Sequence, residues 1–590
     1  MIGPAERRYP GGSLVVPAGA LTAAVARGPC PRSVGPAGGT DRGSGLRRGV
    51  SRALLLRPDM NGPIRKWLLV SLAFLVPLGF ACFTSHIWED YLITLRSSRN
   101  LVAGQGLVFN PGEFVQTFTS PLGVLAPAFC TWICGIGHET AAIWLFRLAS
   151  AAALAGAALL LWRRSGDLAL GRFGRFVLFG LLLADPKLAD FASNGMETGF
   201  LVLFTVLLWS ELEAPAGSRV SVLALAFAGL MWTRPDGFVL AGALVLPHLW
   251  PGRPESGAPR VGRRTLGRAA LLGGLFYAPW FFWSWSYYGS PVPHTIVAKA
   301  ALAPTSDWLN RLLLPLRLVG HGSPLDDLFL PAYWRAGGWP SAGIDFAHVI
   351  GALAALAWLL PGLPAAGRRA SLTLFIGAFY LGSIHLYPWY LPPWTALAAV
   401  ALAFVVDAAA VRAAAAGRRW WRAAVIATAM LTVALQITLF LCVAWQVRIQ
   451  QRVIEDQGRH VIGEWLHEQA ATGDRVFLEP LGYIGYYSQL KTYDVPGLSA
   501  PEVSLAMRSG VKTYADLITR FNPEWLVLRP GELQREGISR EWMLARYRLA
   551  KTVDNSLQLR AVNFLPGRPW LEWDARFLVF ERLDHRPLPR

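Results

Sequence analysis

Long apolar runs separated by short polar segments dominate this 590-residue chain between residues 66 and 446. A helix needs about 20 apolar residues to cross the roughly 30 Å hydrocarbon core of a membrane. Runs of this order predict about eleven transmembrane helices, near residues 66–85, 141–162, 173–187, 197–211, 219–233, 237–250, 269–287, 347–361, 371–387, 390–411 and 423–446. The pattern is typical of an α-helical polytopic membrane protein.

Arginine clusters in the short loops predict how these helices are oriented. The clusters lie near residues 163–175, 253–268, 368–369 and 412–422, which all fall on one side of the membrane. The positive-inside rule makes that side cytoplasmic, so the N-terminus is inside and the tail is outside. The apolar segment 122–136 would invert every later loop if it crossed. We therefore expect a re-entrant or membrane-surface helix there, within a first external loop over residues 86–140.

Three regions follow from the changes in composition along the chain. Residues 1–59 are rich in Gly, Ala, Pro and Arg, and we expect a disordered leader or a stretch upstream of a true start at Met60. Residues 60–446 form the transmembrane domain, with a second large external loop at 288–346. Residues 447–590 alternate strand and helix patterns, which predict an external α/β domain. Its predicted elements are strands at Arg475–Leu478, Trp525–Leu528 and Arg576–Phe580, a helix at Gly458–Gln469 and a turn-rich stretch at Gly482–Ser488 whose glycines allow a close backbone approach.

The composition supports the membrane class and argues against other partners. Hydrophobic residues make up 53% of the chain and charged residues only 16%, while the 25 Trp and 15 Tyr suit the ends of membrane helices. The net charge of +18 comes largely from the leader and the short loops, so we expect no nucleic-acid partner. The five cysteines form no disulfide framework, and no cluster of ligands predicts a metal site.

An acidic pair, Glu89-Asp90, follows the first predicted helix directly. Carboxylates held where a helix leaves the bilayer are costly unless they are paired or used. Both are therefore candidate catalytic residues. Two alternatives remain open: Asp90 could form an ion pair with Arg96 that locks the loop, and Glu89 could serve only to raise the pKa of its neighbour.

Four more polar clusters fall on the same predicted external face, which a purely structural origin would not require. They contain Glu197, the pair Arg234 and Asp236, the pair His294 and Lys299, and the aromatic pair Trp389 and Tyr390. Each has a structural alternative: Glu197 could cap a helix, Arg234 and Asp236 could hold a turn, the loop charges could be solvated, and the aromatic pair could anchor at the interface.

The order of these motifs resembles the bacterial GT-C glycosyltransferases, and in particular the arabinofuranosyltransferases that act on cell-wall arabinan. The resemblance covers residues 66 to about 530 and is carried by GQGLVFNPGE and TSP in the first external loop, then by NGMET, TRPDG, YYGSPVPHT, PWY and GYIGYYS. It implies a polyprenyl-phosphate sugar donor, transfer on the outer face of the bacterial cytoplasmic membrane and an essential carboxylate in the first external loop. The family usually has two aspartates there; Asp90 matches the second and Glu89 replaces the first.

The chemistry of such a transfer suits these residue types. Asp90 would take the proton of an acceptor hydroxyl, in a single displacement that inverts the anomeric carbon. Arg234, His294 and Lys299 would stabilise the leaving lipid phosphate. We assign Arg96, Glu197, Asp236, Trp389 and Tyr390 to substrate binding as well.

The sequence leaves the acceptor, a cofactor and the function class open. The acceptor would be a cell-envelope glycan, lipid or protein. No metal is expected to be obligatory, although a divalent ion at Glu89 and Asp90 is conceivable. A transporter or flippase that binds a lipid-linked saccharide without breaking a bond is the alternative function.

Overall fold

The computed structural model describes residues 63–215, 217–249, 261–302, 323–511 and 513–585, together with Leu309 and Leu313. The predicted leader, residues 1–59, lies outside them. The helices of the transmembrane part are Pro63–Thr84, Glu89–Val102, Pro121–Cys134, Glu139–Asp167, Arg172–Leu183, Pro186–Phe191, Thr198–Leu212, Val220–Thr233, Gly237–Leu249, Arg263–Tyr288, His294–Leu302, Ser341–Leu356, Ala365–Ser383, Pro392–Ala415 and Arg419–Ile449.

Each predicted transmembrane segment coincides with a helix. Among the described residues, five helical segments are long and apolar enough to cross a membrane: Ile64–Thr84, Glu139–Asp167, Ser341–Leu359, Pro392–Ala415 and Arg419–Gln469. Shorter apolar helices lie beside them, and a common core of Leu, Ala and Val side chains joins them. The predicted α-helical multi-pass class is confirmed, while the number of crossings and their orientation stay predictions.

The first predicted external loop is folded into two helices, Glu89–Val102 and Pro121–Cys134. The hydroxyl of Ser120 accepts a hydrogen bond from the Gly123 N–H at 2.7 Å, and Pro121 occupies the first turn, so the second helix begins there. Its 14 residues span roughly 21 Å, too short for a perpendicular crossing. Val220–Thr233 has the same length, so the re-entrant or surface position of Pro121–Cys134 stays a prediction.

A five-stranded sheet forms the centre of the C-terminal part. The strands are β1 (Arg475–Leu478), β2 (Lys491–Asp494), β3 (Trp525–Leu528), β4 (Tyr547–Asp554) and β5 (Arg576–Arg582), in the order β2-β1-β3-β5-β4. Three of its strands, β1, β3 and β5, coincide with the predicted ones, and β2 and β4 were not predicted. β2, β1 and β3 are parallel, and β5 is antiparallel to β3 and β4. Helices on both faces bury β1 and β3, which explains why these strands read as continuous apolar runs.

The remaining helices of this part are short and surround the sheet. They are Val461–Gln469, Leu481–Ser488, Pro501–Arg508, Tyr514–Phe521, Pro530–Arg535, Arg540–Leu544, Ser556–Ala561 and Arg568–Glu572; a π-helical stretch, Gln450–His460, continues the last transmembrane helix.

One sequence prediction here was wrong. The stretch Gly482–Ser488 is helical rather than turn-rich, and its helix begins at Leu481. The expected close approach is nevertheless present, because a Cβ atom on Gly482 would lie 2.2 Å from the carbonyl oxygen of Glu89.

Candidate active site

An open cleft of about 600 Å³ lies where the predicted external ends of several helices meet. The helix Glu89–Val102 forms one side, and the start of Thr198–Leu212 and the end of Val220–Thr233 form another. Six of the ten residues assigned from the sequence line it: Asp90, Glu197, Arg234, Lys299, Trp389 and Tyr390. The chain thus brings five distant polar segments to one cavity.

Asp90 lies in the first turn of its helix, with its side chain partly exposed to the cleft. Within the described residues its carboxylate has no hydrogen-bond or ion-pair partner, so the alternative of an ion pair with Arg96 is not realised. Burial raises the pKa of Asp90, the nearby Lys299 ammonium counteracts that rise, and Glu479 adds to it. An unpaired carboxylate whose pKa is raised is better suited to accept a proton than an ordinary surface aspartate.

Lys299 supplies the positive charge that faces Asp90 across the cleft. It lies on the helix His294–Leu302, and its ammonium stands 4.6 Å from the centre of the Tyr387 ring and 5.6 Å from that of Trp389. Such cation–π contacts orient the ammonium and leave its N–H groups available for a ligand. One turn earlier, the Thr295 hydroxyl is hydrogen-bonded to that of Thr119 at 3.0 Å, which ties this helix to the first loop.

Arg234 and Asp236 form the ion pair that was the structural alternative. Nε and Nη2 of Arg234 donate to the two carboxylate oxygens of Asp236 at 2.9 and 3.1 Å, and the Tyr380 hydroxyl donates to the same carboxylate. Burial opposes ionisation, yet Arg234 and Tyr380 hold the pKa of Asp236 below its usual value. The guanidinium lies 4.0 Å from the centre of the Tyr390 ring. Arg234 still lines the cleft, and its Nη1 has no hydrogen-bond partner among the described residues, whereas Asp236 holds it in place.

Glu197 occupies the N-cap position of Thr198–Leu212 but makes no capping hydrogen bond with its side chain. Its carboxylate lies instead against Gly123, where an added Cβ would come within 2.9 Å of Oε2. Gly195 approaches the Tyr91 ring so closely that a Cβ would lie 2.2 Å from it, and its φ of +106° also favours glycine. The turn before Glu197 is therefore shaped to direct the carboxylate into the cleft rather than to cap the helix.

Trp389 and Tyr390 form the aromatic wall of the cleft. Trp389 stacks on Tyr387 with ring centres 4.6 Å apart and meets Trp88 edge-on at 5.7 Å. This aromatic cluster also includes Phe191, Met196 and Tyr333. Because Trp389 is only 6% exposed, it acts mainly as a rigid support for Lys299 and the cleft rather than as a free interfacial anchor.

Glu89 points away from the cleft, towards the C-terminal part. Its carboxylate accepts the Gly482 N–H at 3.1 Å and pairs with Arg459 at 2.9 Å. Burial raises the pKa of Glu89 to about 8, Arg459 counteracts this, and the neighbouring carboxylates Glu455, Glu479 and Asp574 add to the rise. Glu89 is thus placed to join two parts of the molecule, and the structure does not bring it to the reacting centre with Asp90.

Arg96 and His294 also lie outside the cleft, which corrects their assignment to substrate binding. Arg96 is buried and donates to the carbonyls of Gly485, Leu490 and Gln489 at 2.6, 3.2 and 3.1 Å. Nε2 of His294 is hydrogen-bonded to the Gly497 carbonyl at 2.9 Å, and burial lowers its pKa. Arg96 thus fastens the C-terminal part to the helix Glu89–Val102, and His294 fastens it to the helix His294–Leu302.

Several residues that line the cleft were not assigned from the sequence. Thr119 and Ser120 belong to the TSP motif, which could have suggested them, and Thr295 is adjacent to His294. Leu498 comes from the C-terminal part, and no local signal points to it. Arg147 was also missed; it is buried and donates to the carbonyls of His86 and Ser193 at 2.6 Å each, which holds the segments that precede Asp90 and Glu197.

No metal site emerges from this geometry. Among the described residues, no group of three or more His, Cys, Asp or Glu side chains is arranged to hold a metal ion. Asp90 and Glu89 point in different directions, so they do not chelate together. Independence of a metal stays a prediction.

Known proteins show similarity to parts of this chain. Residues 446–573 match a family described as a domain of unknown function, DUF8728. A terminal β-(1→2)-arabinofuranosyltransferase of Mycobacterium tuberculosis is 31% identical over 336 residues, which cover 50% of this chain and 52% of the relative. The enzyme of the same name from Corynebacterium glutamicum is 32% identical over 246 residues, covering 36% and 33%. The chain spans about half the length of the first relative and a third of the second, and the resemblance to arabinofuranosyltransferases is confirmed.

Two solved structures are similar at low identity. ArnT from Cupriavidus metallidurans bound to undecaprenyl phosphate gives a TM-score of 0.49 at 12% identity, covering 89% of this chain and 99% of that chain. The arabinofuranosyltransferase AftD from mycobacteria gives 0.40 at 16% identity, covering 79% and 35%.

Proposed function

We propose that this protein is an inverting glycosyltransferase that moves a sugar from a polyprenyl-phosphate donor to a cell-envelope acceptor on the outer face of the membrane. The observation that carries the proposal is the cleft itself, which holds the unpaired carboxylate of Asp90 opposite the cations Lys299 and Arg234. The named relatives support the class of reaction and make arabinofuranose the first sugar to test.

The reaction needs a proton acceptor beside the attacking hydroxyl and positive charge beside the leaving phosphate, and the cleft contains both. An acceptor hydroxyl attacks the anomeric carbon, a new C–O bond forms, and the bond from that carbon to the phosphate oxygen breaks. Asp90 takes the hydroxyl proton as the attack proceeds, because an alcohol is a poor nucleophile until it loses that proton. Attack from the side opposite to the leaving group inverts the configuration.

Lys299 and Arg234 would stabilise the negative charge of the leaving phosphate. The leaving group is a lipid phosphate that gains charge as the bond breaks, and prepositioned cations stabilise that charge most in a site that excludes water. Asp236 keeps the Arg234 guanidinium oriented, so that the remaining Nη1 group is free for a substrate oxygen. Glu197 lies beside Arg234 and would bind sugar hydroxyls.

Sugar transfer by the purified full-length protein in detergent tests the proposal. A panel of polyprenyl-phosphate sugars, with the arabinofuranose donor first, is incubated with wild type and with Asp90→Asn. We expect donor consumption by wild type and a loss of at least about 10²-fold in the variant, the usual contribution of a general base. The isosteric amide keeps the shape of the site, so binding of the donor is retained.

The same experiment separates the enzyme from the alternative of a flippase. If Asp90→Asn consumes donor at the wild-type rate, the assignment of the base is wrong. Binding of every donor without consumption by wild type, in the presence of acceptor glycans, would favour transport of the lipid-linked saccharide.

A further inference from the structure

Leu498 lines the cleft from the C-terminal part, and the mechanism above gives it no role. Within the stretches of chain that the structure describes, no other residue of the C-terminal part lines this cavity. The lining near Asp90 is rich in groups that bind water, with hydroxyls at Thr94, Thr119 and Thr295. One apolar side chain therefore enters a largely polar part of the cavity from a distant part of the sequence.

The loop that carries Leu498 is held by a buried carboxylate. Asp494 is the last residue of β2, and its carboxylate accepts hydrogen bonds from the backbone N–H groups of Leu498 and Ser499 and from the Ser499 hydroxyl. Gly497 directly precedes Leu498 with a φ of +89°, and a Cβ there would come within 2.7 Å of the Ala500 carbonyl oxygen. These contacts hold the backbone of the loop and thereby direct the Leu498 side chain.

The same loop is tied to the helix His294–Leu302, which forms one wall of the cleft. Nε2 of His294 is hydrogen-bonded to the Gly497 carbonyl at 2.9 Å. In the helix that follows the loop, Nη2 of Arg508 donates to the Val297 carbonyl at 2.7 Å. These two bonds fix the position of the loop relative to that wall.

Leu498 also packs close to the helix that carries Asp90. Its side chain contacts the hydrophobic cluster that contains Ile93 and Phe109. Ile93 lines the cleft as well and follows Asp90 by three residues, which places their two side chains on the same face of the helix. Ile93 and Leu498 therefore form an apolar border of the cleft beside Asp90.

Water competes with the acceptor in a transfer of this kind. Its oxygen can attack the anomeric carbon, so that a C–O bond forms, the bond to the phosphate oxygen breaks and Asp90 takes the proton. The products are then free sugar and the lipid phosphate, and the donor is wasted. Water is far more abundant than any acceptor hydroxyl, and Asp90 could activate either one. Exclusion of water from the surroundings of Asp90 therefore decides which nucleophile reacts.

We propose that Leu498 is a specificity-determining residue that favours an acceptor hydroxyl over water at the anomeric carbon. With Ile93 it presents hydrocarbon beside Asp90, where a water molecule finds no hydrogen-bond partner but the carbon skeleton of an acceptor sugar can pack. This assignment rests on the proposed function. It gives the C-terminal part a task in the reaction, which is to complete the lining of the cleft with an apolar side chain.

The ratio of free sugar to transferred sugar, measured in a single reaction, tests this proposal. The purified full-length protein is incubated with the polyprenyl-phosphate sugar and acceptor that the wild type uses, in water labelled with heavy oxygen, and mass spectrometry quantifies both products. Lipid phosphate that stays free of the label shows that water attacked the anomeric carbon and not the phosphorus. Both products come from the same folded molecules, so the ratio does not depend on how much of a variant folds.

Leu498→Ala removes part of the apolar border and should raise the ratio of free to transferred sugar about tenfold or more, the discrimination that missing methylene groups in an apolar pocket can cost. Leu498→Met keeps nearly the same volume and should keep the wild-type ratio. Leu490→Ala is the matched control, because Leu490 packs on the same hydrophobic cluster and does not line the cleft. It should also keep the wild-type ratio.

Equal ratios in wild type and Leu498→Ala overturn the proposal and leave the proposed function standing. An equal rise in Leu498→Ala and Leu490→Ala overturns it as well, because it would reflect a general loosening of the cluster. If Leu498→Ala forms too little of either product to quantify, the smaller truncation Leu498→Val decides: an intermediate rise is expected, and the wild-type ratio contradicts the proposal. Formation of neither product by wild type from any donor contradicts the proposed function and this inference with it.

Discussion

The backbone N–H of Gly482 donates a hydrogen bond to the Glu89 carboxylate at 3.1 Å, which joins the C-terminal part to the residue beside Asp90. The two backbones are in close contact, because a Cβ on Gly482 would lie 2.2 Å from the Glu89 carbonyl oxygen and 2.4 Å from its Cγ. The position of Asp90 therefore depends on how the helix Leu481–Ser488 is seated.

Replacement of Gly482 by alanine should displace this helix from the start of the helix Glu89–Val102. The added methyl group has no space, and overpacking of this kind costs about 1–3 kcal/mol of folding free energy. We expect a lower melting temperature in detergent and a fall in kcat that exceeds any change in KM, since the shift reaches Asp90 rather than the binding surface. Thermal unfolding and steady-state transfer kinetics measure both effects.

Gly274→Ala is the control for the Gly482 variant, because its methyl group would meet no atom within 4 Å. In the middle of a helix it should leave stability unchanged or raise it slightly. Equal behaviour of the two variants would show that the contact between Gly482 and Glu89 does not position the loop.

The helical segments and the grouping of the polar clusters could be predicted because each depends on local pattern. Apolar run length indicates where helices form, and the arginine clusters predict that Asp90, Glu197 and Lys299 share one face. The cleft brings these three together. Side-chain direction within a segment was not predictable: Glu89 and Asp90 are adjacent, yet one faces Arg459 and the other faces the cleft.

Contacts between distant segments account for the errors. Arg96 reaches the carbonyl of Gly485, 389 residues away in the chain, and no spacing rule indicates such a bond. Gly482–Ser488 reads as turns because of its two glycines, and the tertiary contact with Glu89 overrides that local preference. The pair Arg234 and Asp236 was correctly considered as a structural alternative because its partners are only two residues apart.

The pH dependence of sugar transfer should follow the ionisation of Asp90, whose pKa the charge of Lys299 influences. Burial raises the pKa of Asp90 and Lys299 opposes the rise. A general base must be ionised, so kcat/KM of the wild type should fall as the pH drops through a pKa above the ordinary aspartate value of about 3.9. Lys299→Gln removes the opposing charge, so the pKa of Asp90 rises further and the acidic limb moves to higher pH.

Lys299→Arg is the matched variant, because it keeps the positive charge and should leave the acidic limb in place. Full pH profiles of kcat/KM for the three proteins separate this electrostatic effect from a loss of leaving-group stabilisation, which lowers the plateau without moving the limb. A limb at the same pH in wild type and Lys299→Gln would exclude Asp90 as the titrating base.

Arg96 should prove to be a structural residue and not a substrate ligand. It is buried, and its guanidinium donates hydrogen bonds to the carbonyls of Gly485, Gln489 and Leu490. It also donates to Asn110 Oδ1 at 3.2 Å. Arg96→Met keeps much of the apolar stem but leaves those acceptors unpaired, which should lower the free energy of unfolding by at least about 3 kcal/mol. A residue that binds substrate would instead raise KM at unchanged stability. Thermal unfolding in detergent and KM for the donor, measured in the same preparation, distinguish the structural role from the binding role. An unchanged melting temperature with a raised KM would show that Arg96 binds substrate.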